Sequence, residues 1–203
     1  MIPSFWAAFD DPLIQVVIIR AYESIPTRES FFDNGGKDSF IRFFPVKRFN
    51  LGRINKSEAK LMVSQLQYYI EKIGANRVME EHIDFGVISP YRLQVQYIRQ
   101  LIRGKEFFQP FRRQITIHTV DGFQGQERDV IFISLVRAND EGNIGFLNDL
   151  RRMNVAITRA RMKLIIYGDA PTLTRHPFYK ALYRYIQNNG KVVLLKPDFQ
   201  VQE

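Results

Sequence analysis

Short apolar runs alternate with segments of helical periodicity, and that alternation restricts this chain to few folds. Phe85–Ile88, Gln114–His118, Val130–Val136, Leu164–Tyr167 and Val192–Leu195 read as strands without the polar alternation of a half-solvated sheet. Between them run apolar stripes with helical spacing. Asn55 can cap a helix with Glu58 reaching back in a capping box, and Ala59, Met62, Val63, Leu66, Ile70 and Ile73 mark its inner face up to Gly74. Ser89 and Pro90 suit the N-cap and first position of a helix striped by Tyr91, Val95, Ile98 and Leu101. Asp149–Arg161 reads as a helix with Met153, Ile157 and Ala160 inward, and His176–Asn188 as a last helix ending at Gly190. Apolar strands alternating with helices predict an α/β fold, a parallel sheet with both faces covered. Ligands of such sheets sit at the carboxyl ends of the strands, and both motifs described below are expected there or leading into it.

The chain has 203 residues, enough for one domain with a full core. Residues 1–50 read as an irregular arm or remnant of an interdomain segment, broken by Pro3, Pro12, Pro26 and Pro45 and turning at Asp33-Asn34-Gly35-Gly36. Two strand-like runs, Gln15–Arg20 and Phe40–Val46, interrupt it, and residues 51–203 form the regular domain. With no cysteine the chain has neither disulfides nor thiolate metal sites, and an intracellular, cytoplasmic setting fits. His82, His118 and His176 lack metal-ligand spacing. No apolar run approaches the ~20 residues that span a bilayer, and no basic segment followed by an apolar core marks a signal peptide. The net charge of +8 favours a polyanionic partner only modestly.

Arg151-Arg-Met-Asn-Val-Ala-Ile-Thr-Arg-Ala-Arg161 carries four arginines and no carboxylate. On a helix, Arg152 and Arg159 share a face, with Asn154, Thr158 and Arg161 on the next. A solvated helix usually balances such charge with acids; a cluster of permanently charged planar forks beside small residues suits a phosphate chain better. Upstream, Thr119-Val-Asp-Gly-Phe-Gln-Gly-Gln-Glu127 sets two glycines around Phe123 and Gln124 and ends in a carboxylate. Glycines let backbone amides approach a ligand. A tight turn over a buried Phe123 would give the same pattern.

These runs together, with Val136-Arg-Ala-Asn and Gly145-Phe-Leu-Asn-Asp-Leu-Arg-Arg, resemble motifs V and VI of superfamily 1 (1B) helicases. The branch is that of senataxin, the nonsense-mediated-decay helicase and the Dna2-like enzymes. Val87-Ile-Ser-Pro-Tyr-Arg-Leu-Gln94 resembles the branch's Ile-Thr-Pro-Tyr-x-x-Gln segment, and Asn55-x-x-Glu58 the capped helix before it. The resemblance implies a RecA-like fold of the P-loop NTPase class, the C-terminal of two motor domains. It implies ATP with Mg2+ as ligand, bound mainly by the N-terminal RecA-like domain of the same protein, and single-stranded DNA or RNA as partner. Carried over by position, Arg159 would be an arginine finger on the γ-phosphate, worth ~10³ or more in rate. Gln124 and Gly125 would lie near that phosphate, Glu127 would meet the ribose, and Arg152 and Arg161 would support or line the nucleotide site. Ser89, Pro90, Tyr91 and Thr119 would face the single strand and touch its backbone.

The sequence has no G-x-x-x-x-G-K-[ST] loop and no Asp-Glu pair ending an apolar strand. The resemblance therefore predicts that this chain alone turns over no ATP. Ile18-Ile-Arg20-Ala-Tyr is a degraded echo of the family's Gln-Tyr-Arg-Met-His-Pro segment, and Arg20 is read either as a second γ-phosphate contact or as an exposed strand-end arginine. The loop Gly104–Arg113 sets Lys105, Arg112 and Arg113 among Phe107, Phe108 and Phe111; it either stacks bases or tucks its rings into the core edge. Phe40, Phe43, Phe44 and Phe49 read as core or as a docking face, and Tyr179, Tyr183 and Tyr185 as packing residues. Two other functions remain open at this level: a catalytically silent nucleic-acid-binding or scaffold module, and a subunit completing an ATP site in trans.

Overall fold

The computed structural model describes residues 42–45, 53–123 and 125–192, the first of these as backbone. Six strands form one parallel sheet: β1 (Arg42–Pro45), β2 (Phe85–Ser89), β3 (Ile115–Thr119), β4 (Arg128–Ser134), β5 (Ala160–Gly168) and β6 (Lys191–Val192). Their spatial order is β3-β2-β4-β5-β1-β6. The helices are α1 (Lys56–Ile73), α2 (Ala75–Glu80), α3 (Arg92–Arg103), α4 (Leu150–Ile157), α5 (Ala170–Leu173) and α6 (Pro177–Asn189). The α/β parallel sheet expected from the apolar runs is present. Strand β1 lies between β5 and β6, so the sheet draws on chain before residue 51. Arg20 and the Gln15–Arg20 run, the side chains of the Phe40–Phe49 patch, and Gln124 lie outside the described residues. No described helix is long and apolar enough to cross a membrane.

Alternate residues of the central strands feed two cores, as the pleat requires. Ile88, Ile131, Ile133, Leu164 and Ile166 pack on one face with Phe123, with Met153, Ala156 and Ile157 of α4, and with Tyr179, Leu182 and Ile186 of α6. Phe85, Val87, Val130, Phe132, Ile165 and Tyr167 pack on the other against α1, α2 and α3. Gly86 on central β2 allows the first face to close. A Cβ there would lie 2.4 Å from Ile131 Cδ1 and 2.6 Å from Phe123 Cζ. Both neighbours are fully buried, so neither ring nor methyl can retreat into solvent. Gly86→Ala is expected to cost about 1–3 kcal/mol by overpacking, read as a lowered urea midpoint with unchanged slope; an unchanged midpoint would show that Phe123 does not rest on this glycine.

Helix boundaries depart from the expected ones in instructive ways. Asn55 does cap α1, accepting from Glu58 N at 3.0 Å. The reciprocal half of the box is filled by a distant residue: Asn55 N donates to Gln94 Oε1 at 2.8 Å, which frees the Glu58 carboxyl for other partners. Helix α3 begins at Arg92 with Tyr91, not Ser89, at the N-cap, because the buried Tyr91 holds extended backbone (φ −109, ψ 121). Helix α4 stops at Ile157. Thr158 Oγ1 bonds back to Asn154 O and Val155 O, and Arg159 O is taken by Arg128 N of β4 at 3.0 Å, so the chain turns into β5 at Ala160. The expected single arginine helix is thereby corrected. Arg151 and Arg152 sit on the helix, Arg159 in the turn and Arg161 in the strand.

Candidate functional site at the two ends of the sheet

In a parallel sheet every crossover must return from the carboxyl ends of the strands to the amino ends. Residues 120–127, between β3 and β4, make one such return; α4, leading into β5, makes another. Both cover the same face, where Phe123 shares a core with Met153 and Ile157. They are tied together at each end. At the carboxyl end, Arg152 Nε lies 3.1 Å from Asp121 Oδ1. At the amino end, Arg128 N donates to Arg159 O. Each motif therefore spans the sheet: Thr119, Asp121 and Arg152 lie at the carboxyl ends, and Gly125, Glu127, Arg159 and Arg161 at the amino ends.

At the amino end, Glu127 and Gly125 are exposed, and Gly125 adopts φ +76, which favours glycine. Arg159 is half-buried. Its Nε donates to Val155 O at 3.0 Å, closing the end of α4, and no described carboxylate pairs with it. Arg161 differs. It bridges Asp84 Oδ1 at 3.0 Å and Asp129 Oδ1 at 3.2 Å. The two acids also bracket each other: Asp129 N donates to Asp84 Oδ1 at 2.6 Å and Asp84 N to Asp129 Oδ2 at 3.1 Å. Burial raises the Asp129 carboxyl above its ordinary range, with the nearby Asp84 charge adding and Arg161 opposing. Arg128 is likewise committed, to Thr116 Oγ1, Gln126 Oε1 and the Phe123 ring. Of the three arginines of these motifs at this end, Arg128 and Arg161 both pair with Asp84, at 3.7 and 3.0 Å, whereas Arg159 has no described carboxylate. Among the described residues no group of His, Cys, Asp or Glu could hold a metal ion.

At the carboxyl end, Thr119 and Pro90 are half-buried and reachable. Ser89 is not: its side chain is fully buried, and its Oγ accepts from Tyr91 N at 3.4 Å, which closes the turn. Tyr91 is also buried, and its hydroxyl accepts from Arg137 Nε at 2.9 Å. Arg152 is spent inside the fold on Asp121, on Asp149 at 3.5 Å and on the face of Phe146, 4.2 Å from the ring centroid. Its geometry suits holding α4 in place. Arg112 and Arg113 are exposed but precede β3, at its amino end, a strand's length from Thr119. They do not form one patch with Thr119 and Pro90. Of the two readings of their loop, the rings follow the tucked one: Phe108 and Phe111 are buried, and Phe107 packs on both at 5.2 and 5.5 Å. Tyr179 is buried with its hydroxyl donating to Leu147 O.

Beneath this end lies a sealed polar network that periodicity does not announce. Ser134 Oγ and Val136 N both donate to Glu58 Oε1. Gln94 Nε2 donates to Ser134 Oγ and to Asn55 O, and Asn55 Nδ2 to Val136 O at 3.2 Å. Val136 adopts φ 71, a costly conformation for a β-branched residue. The Asn55–Glu58 clamp holds it there, and Arg137 follows directly. Local spacing pointed to Asn55 and Glu58, and only the sequence resemblance to Gln94; their convergence required the fold.

A family model described as an AAA domain matches residues 45–171. The chain is 37% identical over 194 residues to the DNA replication ATP-dependent helicase/nuclease DNA2 of Bos taurus, covering 93% of this chain and 17% of that protein. It is 39% identical over 132 residues to the DNA polymerase alpha-associated DNA helicase A of Saccharomyces cerevisiae, covering 64% of this chain and 18% of that protein. It is 47% identical over 97 residues to Helicase sen1 of Schizosaccharomyces pombe, covering 48% and 6% respectively. The chain thus spans less than a fifth of the length of these relatives.

Proposed function

We propose, because this chain belongs to the AAA-domain family of superfamily 1 helicases in the branch of senataxin and Dna2, that it is the C-terminal motor domain of an ATP-dependent helicase. On this reading it supplies an arginine finger and part of the single-strand track, while an N-terminal RecA-like domain supplies the phosphate-binding loop and the magnesium ligands. The observation that carries the reading is the pairing of Arg128 N with Arg159 O, which brings Arg159, a residue lacking a described carboxylate partner, to the same edge as the exposed Glu127. That donor set fits a nucleotide: a planar cation for a phosphoryl oxygen and a carboxylate for ribose hydroxyls. On this reading magnesium would be held by the partner domain and the triphosphate.

The two descending motifs supply the means of coupling. A strand bound near Thr119 and Pro90 and a nucleotide bound near Glu127 and Arg159 would meet opposite ends of the same two segments, tied at Asp121–Arg152 and Arg128–Arg159. Cleft closure over ATP and opening after hydrolysis would then move the strand end with the nucleotide end. The test is a pair of assays on the purified 203-residue chain. ATP turnover is expected at background, and binding to single-stranded oligonucleotides is expected to be weak and to fall steeply with salt. Turnover above background would overturn the division of labour between the domains; the absence of salt-dependent binding would overturn the strand-track assignment.

A further inference from the structure

Phe146 is one of three large apolar side chains exposed among the described residues, at 42%. The other two, Met79 and Leu93, are lone apolar residues at the surface, which need no special reason. Phe146 is different because its ring is held by planar partners. The Arg152 guanidinium lies 4.2 Å from its centroid, and the Tyr91 ring lies 6.2 Å away, tilted by 52°. Those partners are themselves fixed. Arg152 is locked by Asp121 and Asp149, and Tyr91 by Arg137, whose guanidinium lies 5.5 Å from the Tyr91 centroid. Gly145 immediately before it adopts φ +53, and a Cβ there would lie 2.4 Å from an Arg137 terminal nitrogen. The result is a pair of rings flanked by two cations, Arg137–Tyr91–Phe146–Arg152, in which the Phe146 ring is open to solvent. Its place is the carboxyl end of the sheet: Arg152 touches both Phe146 and Asp121, and Asp121 lies two residues beyond Thr119.

From this geometry we infer that Phe146 is the base-stacking platform of the strand track, taking one nucleobase of a single strand against its exposed ring. This rests on the proposed single-strand function and adds to it a residue that contacts bases rather than phosphates. A preorganised ring loses little side-chain freedom on binding, and every base offers a π-face, so the contact needs no sequence.

Fluorescence anisotropy with the whole chain tests this, using labelled oligothymidylate, oligouridylate and an abasic tract of equal length and charge. The wild-type protein should bind the abasic tract roughly 5- to 100-fold more weakly than either base-bearing strand. Phe146→Ala should lose that preference by weakening on the base-bearing strands alone, with the salt slope unchanged because no charge is removed. Phe146→Tyr should retain the preference; Phe146→Leu, which keeps apolar bulk without a π-face, should lose it, and the pair decides the matter if the alanine variant proves unstable. Similar behaviour on DNA and RNA supports stacking on the base itself, whereas a preference lost on only one of them would overturn sequence- and sugar-blind stacking. If wild-type binding depends on salt but ignores the bases, or if Phe146→Ala weakens all strands equally, the platform is refuted while the track assignment stands. If no strand binds at all, both fall together.

Discussion

Between pH 4.5 and 8 the wild-type protein is expected to lose stability that a Glu58→Gln variant keeps. Glu58 is completely buried, and burial lifts its carboxyl from an ordinary 4.5 to about 8, against the opposing hydrogen bonds from Ser134 and Val136. Its second oxygen finds no hydrogen-bond partner among the described residues, so an ionised Glu58 would hold charge with half of its acceptor capacity unmet. The sign follows from proton counting. Because the folded pKa lies above the unfolded one, the folded chain keeps a proton that the unfolded chain releases. The full stability is present below pH 4.5, declines as pH rises, and levels off once the folded group also ionises near 8. Each unit in that window costs about 1.4 kcal/mol, so by pH 7 the loss is on the order of 3 kcal/mol. The glutamine of the variant would stay neutral throughout, and its amide oxygen can accept the same two hydrogen bonds. Urea unfolding of both proteins at pH 4.5, 6, 7 and 8 separates this from the titration of all other groups, which the two share. Curves that stay parallel across the window would mean that Glu58 is ionised in the folded state.

That network also shows where the sequence stops informing. Spacing alone identified Asn55 as a cap and the stripe beneath it, because an N-cap is a local bond between a side chain and an amide three residues on. It assigned the wrong partner to Glu58, because Gln94 and Val136 are distant in the chain and only the sheet brings them to α1. The motif around Arg159 failed in a related way. Helical periodicity fits Arg152 and Arg159, seven residues apart, and nothing local forbids the helix from continuing. The turn at Thr158 is imposed by β4, whose first amide claims Arg159 O. The same tertiary bond fixes Arg159 at the amino end of the sheet, while Arg152 stays at the carboxyl end. Phe146 escaped notice because a phenylalanine between Gly145 and Leu147 looks like core, and burial is not a local property. Its only local signal is the glycine before it, whose missing Cβ leaves room for the Arg137 side chain.

In the assembled two-domain motor, Arg159→Ala is expected to lower kcat by about 10³-fold while changing single-strand affinity little. Arg159 lies at the amino end of β5, whereas Thr119 and Pro90 lie at the carboxyl end of their strands, so its removal leaves the strand surface untouched. Its own fold contribution is one bond from Nε to the last turn of α4. That bond leaves the terminal nitrogens, the part of the fork that meets a phosphoryl oxygen, without a described partner. Arg159→Lys should recover little, because an ammonium group cannot present the same planar fork. The informative comparison is Arg161→Ala, two residues on. Arg161 is held by Asp84 and Asp129, so releasing it should disturb that carboxylate pair and leave most of the turnover intact. Steady-state ATPase with saturating single strand, beside anisotropy without nucleotide, reads both effects. Loss of strand affinity together with kcat in Arg159→Ala would make the residue a brace for α4 rather than a finger. Equal losses of turnover from Arg159→Ala and Arg161→Ala would mean that the whole amino edge, and not one guanidinium, serves the phosphate.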